Sequence, residues 1–598
     1  YYIRVKHNYS IKEFRGRISH GERKRLIYTF PFRQLSFGDI EIDNMKDELI
    51  EYIKLAKGTE LEFLALQELV SDYIARKDWR RAKKLIKKLL PIIDTEKTKN
   101  LLDIISEETD RKVNTQDLSD INTKDGNEYS PVITADNHTL FFCGTNRHDN
   151  IGGEDIFFSE LENNSWGDVN LYSELSSSSS EDALMSISTD GSSILKFVNG
   201  SLGICELTNS GWSEIQFLNE NINTGKWNGD GMFTSDGNAI IFSSVRESSY
   251  NISNVNEYHL STNYASDLYI SIKDSDGFYG KAINLGEKIN TMFSERTPFL
   301  HPDMKTLYFS SDGLGGLGKY DVFKSTRLAD SCWDCWGEPE NLGKEINTTD
   351  NDWGYTISTD GELAYFSKTT IKNQSDDLFF LNIPAHLRPN YVATITGKLL
   401  DFNNNPIQAT ISWEDLEENK IIMKSKSKPE DGSFFMVLPL GKSYGYYIDK
   451  EGYFPISNNI DLRDTVTPQE IQNNIQIVTI DEMIENEIAV PLKNLFFSSG
   501  RSKLKSSSVT ELKRISRIIV DNDLTVELSG HTDNVASEES NQTLSEDRAN
   551  AVKEFLVNNG CDESKIISIG YGESKPLNNN ENSTERKRNR RVEFRFVK

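Results

Sequence analysis

The sequence predicts a multidomain chain of four folded parts: an N-terminal α-helical region, a β-propeller, a small β-sandwich and a C-terminal α/β domain. Three observations predict it. The 598 residues exceed what one core organises, since domains run to roughly 100–200 residues. Apolar spacing is helical over residues 43–108, then changes to short strands between Asp/Gly/Ser turns from about 118 to 385. From residue 491 onward, strand and helix alternate.

Composition sets the limits. With 37% hydrophobic, 27% charged and 10% aromatic residues, the chain is globular rather than disordered. No apolar run approaches the length of a membrane-spanning helix, so no transmembrane helix is expected. The chain opens at Tyr1 without a charged-then-apolar leader, so any export signal is expected to have been removed. The net charge of −25 is uneven: residues 1–110 hold 22 Lys and Arg against 19 Asp and Glu, residues 490–598 hold 18 against 16, and the middle holds 27 against 57. Such a middle repels nucleic-acid phosphates, so no nucleic-acid partner is expected.

Residues 1–42 read as a basic irregular head, with nine Lys/Arg against two Glu in residues 1–33. Residues 43–115 read as helices, with Leu61, Leu64, Ala65, Leu69 and Tyr73 on one apolar face and Leu85, Ile86, Leu89 and Leu90 on another. Eight bases against Asp78 between Arg76 and Lys88 read as a solvated face. The order Tyr73, Asp78-Trp79, Ala82, Ile86, Pro91 resembles the junction of a tetratricopeptide (TPR-like) helix pair.

Residues 116–388 repeat three phrases. The first is an Asp-Gly turn or its equivalent before an aromatic strand, at Asp136, Asp190, Asp236, Asp303 and Asp360. The second is Asp155-Ile-Phe, Asp267-Leu-Tyr, Asp321-Val-Phe and Asp377-Leu-Phe, and the copy near Leu202 lacks it. The third ends in Ile-Asn, as at Asn223, Asn290 and Asn347, with an extra copy at Asn122 before the first unit. Four-stranded sheets that bury their faces only against neighbours make a propeller, here of five or six blades. The spelling resembles WD40-like propellers with a "pDG" turn. The Asp-Gly pairs have a sufficient reason in turn chemistry. Asp274-Ser-Asp-Gly277 is the most calcium-like string, but it lacks the distal glutamate of an EF-hand.

Of five cysteines, only Cys332 and Cys335 are closely spaced, as Cys-Trp-Asp-Cys. A disulfide, two free thiols and, less simply, a metal site all fit that spacing. No metal and no cofactor are expected.

Residues 389–485 alternate short strands with turns and read as a small antiparallel sandwich. Thr394–Leu399, Asp431-Gly-Ser-Phe434 and Gly452-Tyr453 resemble the carboxypeptidase-regulatory-like module. Without a nucleophile–base pair it reads as a spacer or docking piece.

Residues 486–598 predict strands at Leu495–Ser498, Leu524–Leu528, Ile566–Ile569 and Val592–Val597, and helices at 507–520, 544–558 and near 583–589. Thr543 and Glu546 fit a capping box for the second helix, and Gly560 fits its C-terminal stop. Arg548 falls in the middle of that helix's apolar stripe of Leu544, Ala551, Val552, Phe555 and Leu556. A buried guanidinium needs an acceptor. The loop Gly530–Asn534 can bring Asp533 near it, either as an internal salt bridge or as half of a clamp. In the clamp, Asp533 takes an ammonium and Arg548 takes a carboxylate bidentately.

Four ordered motifs carry a resemblance: Ser529-Gly-His-Thr-Asp-Asn534, Asn541-Gln-Thr-Leu-Ser-Glu-Asp-Arg-Ala-Asn550, Gly570-Tyr-Gly-Glu-Ser-Lys-Pro576 and Asn589-Arg-Arg-Val-Glu593. This region resembles the OmpA/MotB C-terminal peptidoglycan-binding domain. The resemblance implies binding of diaminopimelate in the peptidoglycan stem peptide by Asp533 and Arg548, supported by Thr532, Asn541 and Arg590. One departure is that Phe496-Phe497 is followed by Ser498-Ser-Gly500 where the family usually has a Phe-Asp-Phe phrase.

The domain order resembles PorE-like envelope proteins of Bacteroidota, associated with type IX secretion and gliding motility. What this implies is a non-enzymatic periplasmic scaffold, outer-membrane associated, that anchors a complex to peptidoglycan and partners an outer-membrane protein of PorP/SprF type. A propeller-based glycan-binding sensor or a cell-wall-active enzyme is the alternative. Against the enzyme, the sequence has no Ser/His/Asp set and no HExxH, and its eight histidines are scattered.

Overall fold

The structure is a computed structural model that describes residues 42–108, 113–178, 182–208, 210–246, 265–370, 375–498 and 500–597. The basic head therefore lies outside the described residues, apart from Ile42. The chain divides into two compact units, Tyr1–Val392 and Ala393–Lys598. It is mostly β, with a few helices, and no described helix is long and apolar enough to cross a membrane.

The first unit begins with helices α1 (Ile42–Leu55), α2 (Leu61–Ala75), α3 (Trp79–Leu89) and α4 (Glu96–Ser106). Phe63, Leu66, Val70, Ala82, Ile86, Leu101 and Ile105 share their core. Asp78 starts α3 by accepting the Arg81 amide at 3.1 Å, and Thr95 starts α4 by accepting the Thr98 amide at 3.2 Å. Helix α2 is buried on several sides because it also meets the sheets that follow: Gln67 Nε2 donates to the carbonyls of Gly316 and Gly318 at 2.9 and 3.0 Å.

Five sheets follow, and the repeated phrases have distinct structural duties in them. Their first strands are Asn127–Ile133, Asp182–Ile187, Trp227–Phe233, Glu295–Leu300 and Asp352–Ile357. Each touches the next and the last touches the first, so they surround a cavity of about 120 Å³ in a closed cycle. In the first phrase, the aspartate Oδ1 accepts the amide two residues on, at 2.9–3.1 Å in all five copies. The residue after it is left-handed: Gly191, Gly237 and Gly361 supply it freely, whereas Asn137 and Met304 take it with φ of 60°. In the third phrase, each asparagine side chain grips one backbone unit both ways. Asn223 binds Leu202, Asn290 binds Leu268 and Asn347 binds Val322, at 2.7–3.0 Å. Ser176 takes this position in the first sheet, accepting the Ile156 amide at 3.0 Å.

The extra copy at Asn122 explains how the cycle closes. Its side chain grips Leu378 at 2.8 Å in both directions, and strand Gln116–Asp117 pairs with Phe379 and Phe380 of the fifth sheet. The start of the segment thus supplies the outer strand of its last sheet. Asp274 Oδ1 accepts the amides of Asp276 and Phe278 at 3.0 and 2.9 Å, which is turn chemistry. Cys332 and Cys335 are disulfide-bonded, with Cα atoms 5.5 Å apart.

The second unit opens with two facing sheets. Strand Val392–Leu400 lies between Ser433–Pro439 and, in parallel, Gln469–Gln472 with Ile475–Gln476; the other sheet runs Lys420–Lys426, Thr410–Asp415, Ser443–Ile448, Ile456–Asp461. The parallel pairs correct the all-antiparallel expectation. Trp413 and Tyr446 fill the space between the sheets, with ring centroids 5.1 Å apart.

After helix α5 (Ile480–Glu485), the α/β domain has sheet order Val490–Pro491, Val592–Val597, Thr525–Gly530, Ile566–Gly570, with α6 (Val509–Asp521), α7 (Glu538–Asn558) and α8 (Ser583–Asn589). The strand expected at Leu495–Ser498 is not one. The ladder forms earlier, at Val490–Pro491, and Phe497 makes only an isolated bridge to Leu504. Helix α7 starts six residues before the expected 544. Ser537 caps it by accepting the Ser540 amide at 3.3 Å, and Thr543 instead donates to the Glu539 carbonyl. Arg548 therefore sits in the helix interior, beyond the reach of the N-terminal dipole. Gly560 follows the helix with φ of 101°, as its place in sequence predicts.

Candidate functional site

The site forms where the parallel strands Thr525–Gly530 and Ile566–Gly570 end and their loops meet α7. Glycine lets helix and strands approach closely: a Cβ on Gly530 would lie 2.1 Å from the Ser545 carbonyl oxygen, and one on Gly570 would lie 2.5 Å from the Glu546 nitrogen. The two loops are laced together. Tyr571 N–H donates to Gly530 and Thr532 N–H to Gly572, each at 2.9 Å, and the Gly572 amide donates to Ser545 Oγ at 2.9 Å.

Asp533, Arg548, Thr532, Asn541 and Arg590 all belong to this neighbourhood. Asp533 and Arg548 are each 8% exposed. They do not form an ion pair, which corrects one of the two expected arrangements: Asp533 Oδ2 accepts from Arg590 Nη1 at 2.5 Å. Asn541, 2% exposed, donates to the Asp533 carbonyl at 3.0 Å and to Glu573 Oε2 at 2.6 Å, so it fixes the loop that carries Asp533. Thr532 Oγ1 is buried without a hydrogen-bond partner among the described residues.

Arg548 is held from behind. Its Nε donates to the Arg501 carbonyl at 3.3 Å and its guanidinium lies 5.1 Å over the Phe497 ring. Nη1 and Nη2 make no hydrogen bond or ion pair among the described residues. Burial, then repulsion from Arg590, lowers the Arg548 guanidinium below its ordinary value, against the opposing pull of Asp533. An anion that meets those two N–H groups bidentately would relieve both effects.

Phe497 and Asn589 stand in phrases quoted from the sequence but were given no site role there, and the Arg501 carbonyl was not singled out at all. Asn589 is fully buried and receives the amides of Leu577 and Asn578 at 2.8 and 3.3 Å. A signal for it was the asparagine run Asn578–Asn580, because a loop of that composition needs a partner for its backbone. Beside the site, His531 stacks on Tyr571 with centroids 5.5 Å apart.

Residues 496–590 match the OmpA family. Over 98 residues the chain is 39% identical to outer membrane porin F of Pseudomonas fluorescens, covering 16% of this chain and 30% of that protein. Over 119 residues it is 34% identical to motility protein B of Bacillus subtilis, covering 19% of this chain and 46% of that protein. The matched region thus spans less than half the length of either relative. Among solved structures, the periplasmic domain of Helicobacter pylori MotB aligns at 22% identity over 18% of this chain and 80% of that one, with a TM-score of 0.17.

Proposed function

We propose that the OmpA-like C-terminal domain binds the diaminopimelate of peptidoglycan stem peptides without covalent chemistry. Arg548 takes the carboxylate, Asp533 takes the ammonium, and Thr532, Asn541 and Arg590 support them. The observation that carries this reading is Arg548: a buried guanidinium whose terminal nitrogens meet no partner among the described residues, within electrostatic reach of Asp533. Burying a cation costs several kcal/mol unless something pairs with it, so a site kept open in this way favours a ligand carboxylate. Arg590 holds Asp533 until a ligand ammonium displaces it.

In this reading the chain is a non-enzymatic periplasmic scaffold, associated with the outer membrane and anchored to peptidoglycan. The five-sheet cycle acts as a five-bladed propeller that presents protein-binding loops, and its closure by Asn122 and strand Gln116–Asp117 supports that assignment. Residues 1–110, with the TPR-like helices, dock an outer-membrane partner of PorP/SprF type, and the assembly serves type IX secretion or gliding. Similarity of the C-terminal domain to a motility protein is consistent with an envelope anchor.

Purified protein should co-sediment with diaminopimelate-type sacculi, and Asp533→Ala or Arg548→Ala should abolish this while leaving the fold intact. Unchanged pelleting by both variants refutes the reading. For the head, affinity purification of a chain lacking residues 1–110 should lose envelope proteins that the intact chain recovers; identical recovery overturns the docking assignment.

A further inference from the structure

Val535 and Leu577 are large apolar side chains left in water, 72% and 58% exposed. They lie on the two loops that follow the parallel strands, the loops that build the candidate site. Single exposed hydrophobics are ordinary and need no explanation. What sets these two apart is that the groups holding their backbone also hold the proposed clamp. The Val535 amide donates to Asp533 Oδ1 at 3.3 Å, and Asn541 Nδ2 reaches the carbonyls on either side, Asp533 at 3.0 Å and Ala536 at 3.4 Å. The Leu577 amide donates to Asn589 Oδ1 at 2.8 Å, while Asn589 Nδ2 donates to the Asn578 carbonyl at 3.0 Å and Asn580 Oδ1 at 2.8 Å.

Two buried asparagines therefore hold two loops whose tips expose hydrocarbon. Asn589 immediately precedes Arg590, which pairs with Asp533, so both tips are tied directly to the proposed clamp. Rigid, preorganised apolar groups beside a polar pocket lower the ordering cost of a ligand with a polar centre and small apolar flanks. A peptidoglycan stem peptide has that form: it carries alanine directly after its diamino acid and again two positions before it.

We propose that Val535 and Leu577 are apolar lips that receive alanine methyl groups flanking the diamino acid, so that the domain selects the peptide over the free amino acid. This rests on the reading of Asp533 and Arg548 as the clamp, and extends the site to its specificity for peptide.

The test is calorimetric titration of the full chain with two probes, free meso-diaminopimelate and a soluble disaccharide-tetrapeptide. The wild-type chain should bind the tetrapeptide more tightly. A Val535→Ser/Leu577→Ser chain, changed only at exposed side chains, should lose about tenfold in affinity for the tetrapeptide and none for free diaminopimelate. An equal loss on both probes, or no loss on either, overturns the lips while leaving the clamp standing. A wild-type chain that binds neither probe overturns the clamp itself, and the lips with it.

Discussion

Arg590 reaches Asp533 at 2.5 Å, while Arg548, as buried as Asp533 and within its electrostatic reach, pairs with no carboxylate among the described residues. The acid is therefore held by the more exposed of two guanidiniums, with 43% of the Arg590 side chain in water. An ion pair that exposed contributes about 0–1 kcal/mol to stability. Asp533→Asn should change stability by about 1 kcal/mol or less, yet remove co-sedimentation with sacculi. Thermal unfolding and pelleting read the two effects separately. A loss of several kcal/mol with pelleting intact would make the pair structural.

Asn541 acts through the loop and not through ligand charge. Asn541→Ala leaves the Asp533 carbonyl and Glu573 without their shared donor, and a buried unsatisfied group costs about 1–3 kcal/mol. Denaturant melts should show that loss. Sacculus affinity should fall as well, although Asp533 and Arg548 remain. Asn541→Asp should not rescue it, because a carboxylate cannot donate to these acceptors. Wild-type pelleting by Asn541→Ala would separate loop geometry from binding.

What could be read from the sequence follows from the range of each interaction. The repeated phrases of the ring were legible because all five sheets solve the same turn, and three of them the same backbone grip, with nearby residues. The purpose of the isolated copy at Asn122 was not, since its partner Leu378 lies at the far end of the repeat array. In the C-terminal domain, the apolar stripe put Arg548 on the buried face of α7, but it misplaced the helix start. Residues 538–543 are all polar, so they add nothing to a hydrophobic period, although Asn541 among them is buried. A two-residue strand such as Val490–Pro491 likewise has too little length to show alternation. The choice of Arg590 over Arg548 as partner of Asp533 spans 57 residues, and no local pattern encodes it.

Phe454, on the turn before strand Ile456–Asp461, packs into the core of the α/β domain. Its ring lies 5.2 Å from Phe594 and 5.9 Å from Phe596. Nearby, Arg514 of α6 stacks 3.5 Å over Tyr447 and pairs with Glu414 of the sandwich. The sandwich thus completes the α/β core, which a mere spacer would not do. Phe454→Ala should cost about 3–5 kcal/mol and lower the melting of sandwich and α/β domain together in calorimetry. Separate transitions, with only the sandwich affected, would show two independent folding units.

Glu295 offers a pH test of the ring. Its sheet differs from the others near the start of the first strand. Glu128 has Arg147 at 2.6 Å, Asp182 has Lys196 at 2.9 Å and Asp352 has Lys368 at 3.6 Å, whereas Glu295 is held by Thr291 and Ser311. Burial pushes its carboxyl well above the ordinary value of 4.5; the Thr291 amide and hydroxyl groups lower it only in part, and neighbouring Asp267 raises it further. The folded state then keeps a proton that the unfolded chain releases, so the stability it contributes is full below pH 4.5 and is lost as pH rises through the elevated folded value. Glu295→Gln keeps the neutral shape without the titration. Unfolding measured across that range should lose stability less steeply with rising pH in the variant than in wild type. Identical slopes would show that Glu295 is already ionised in the folded ring, its charge satisfied by the hydroxyl and amide donors around it.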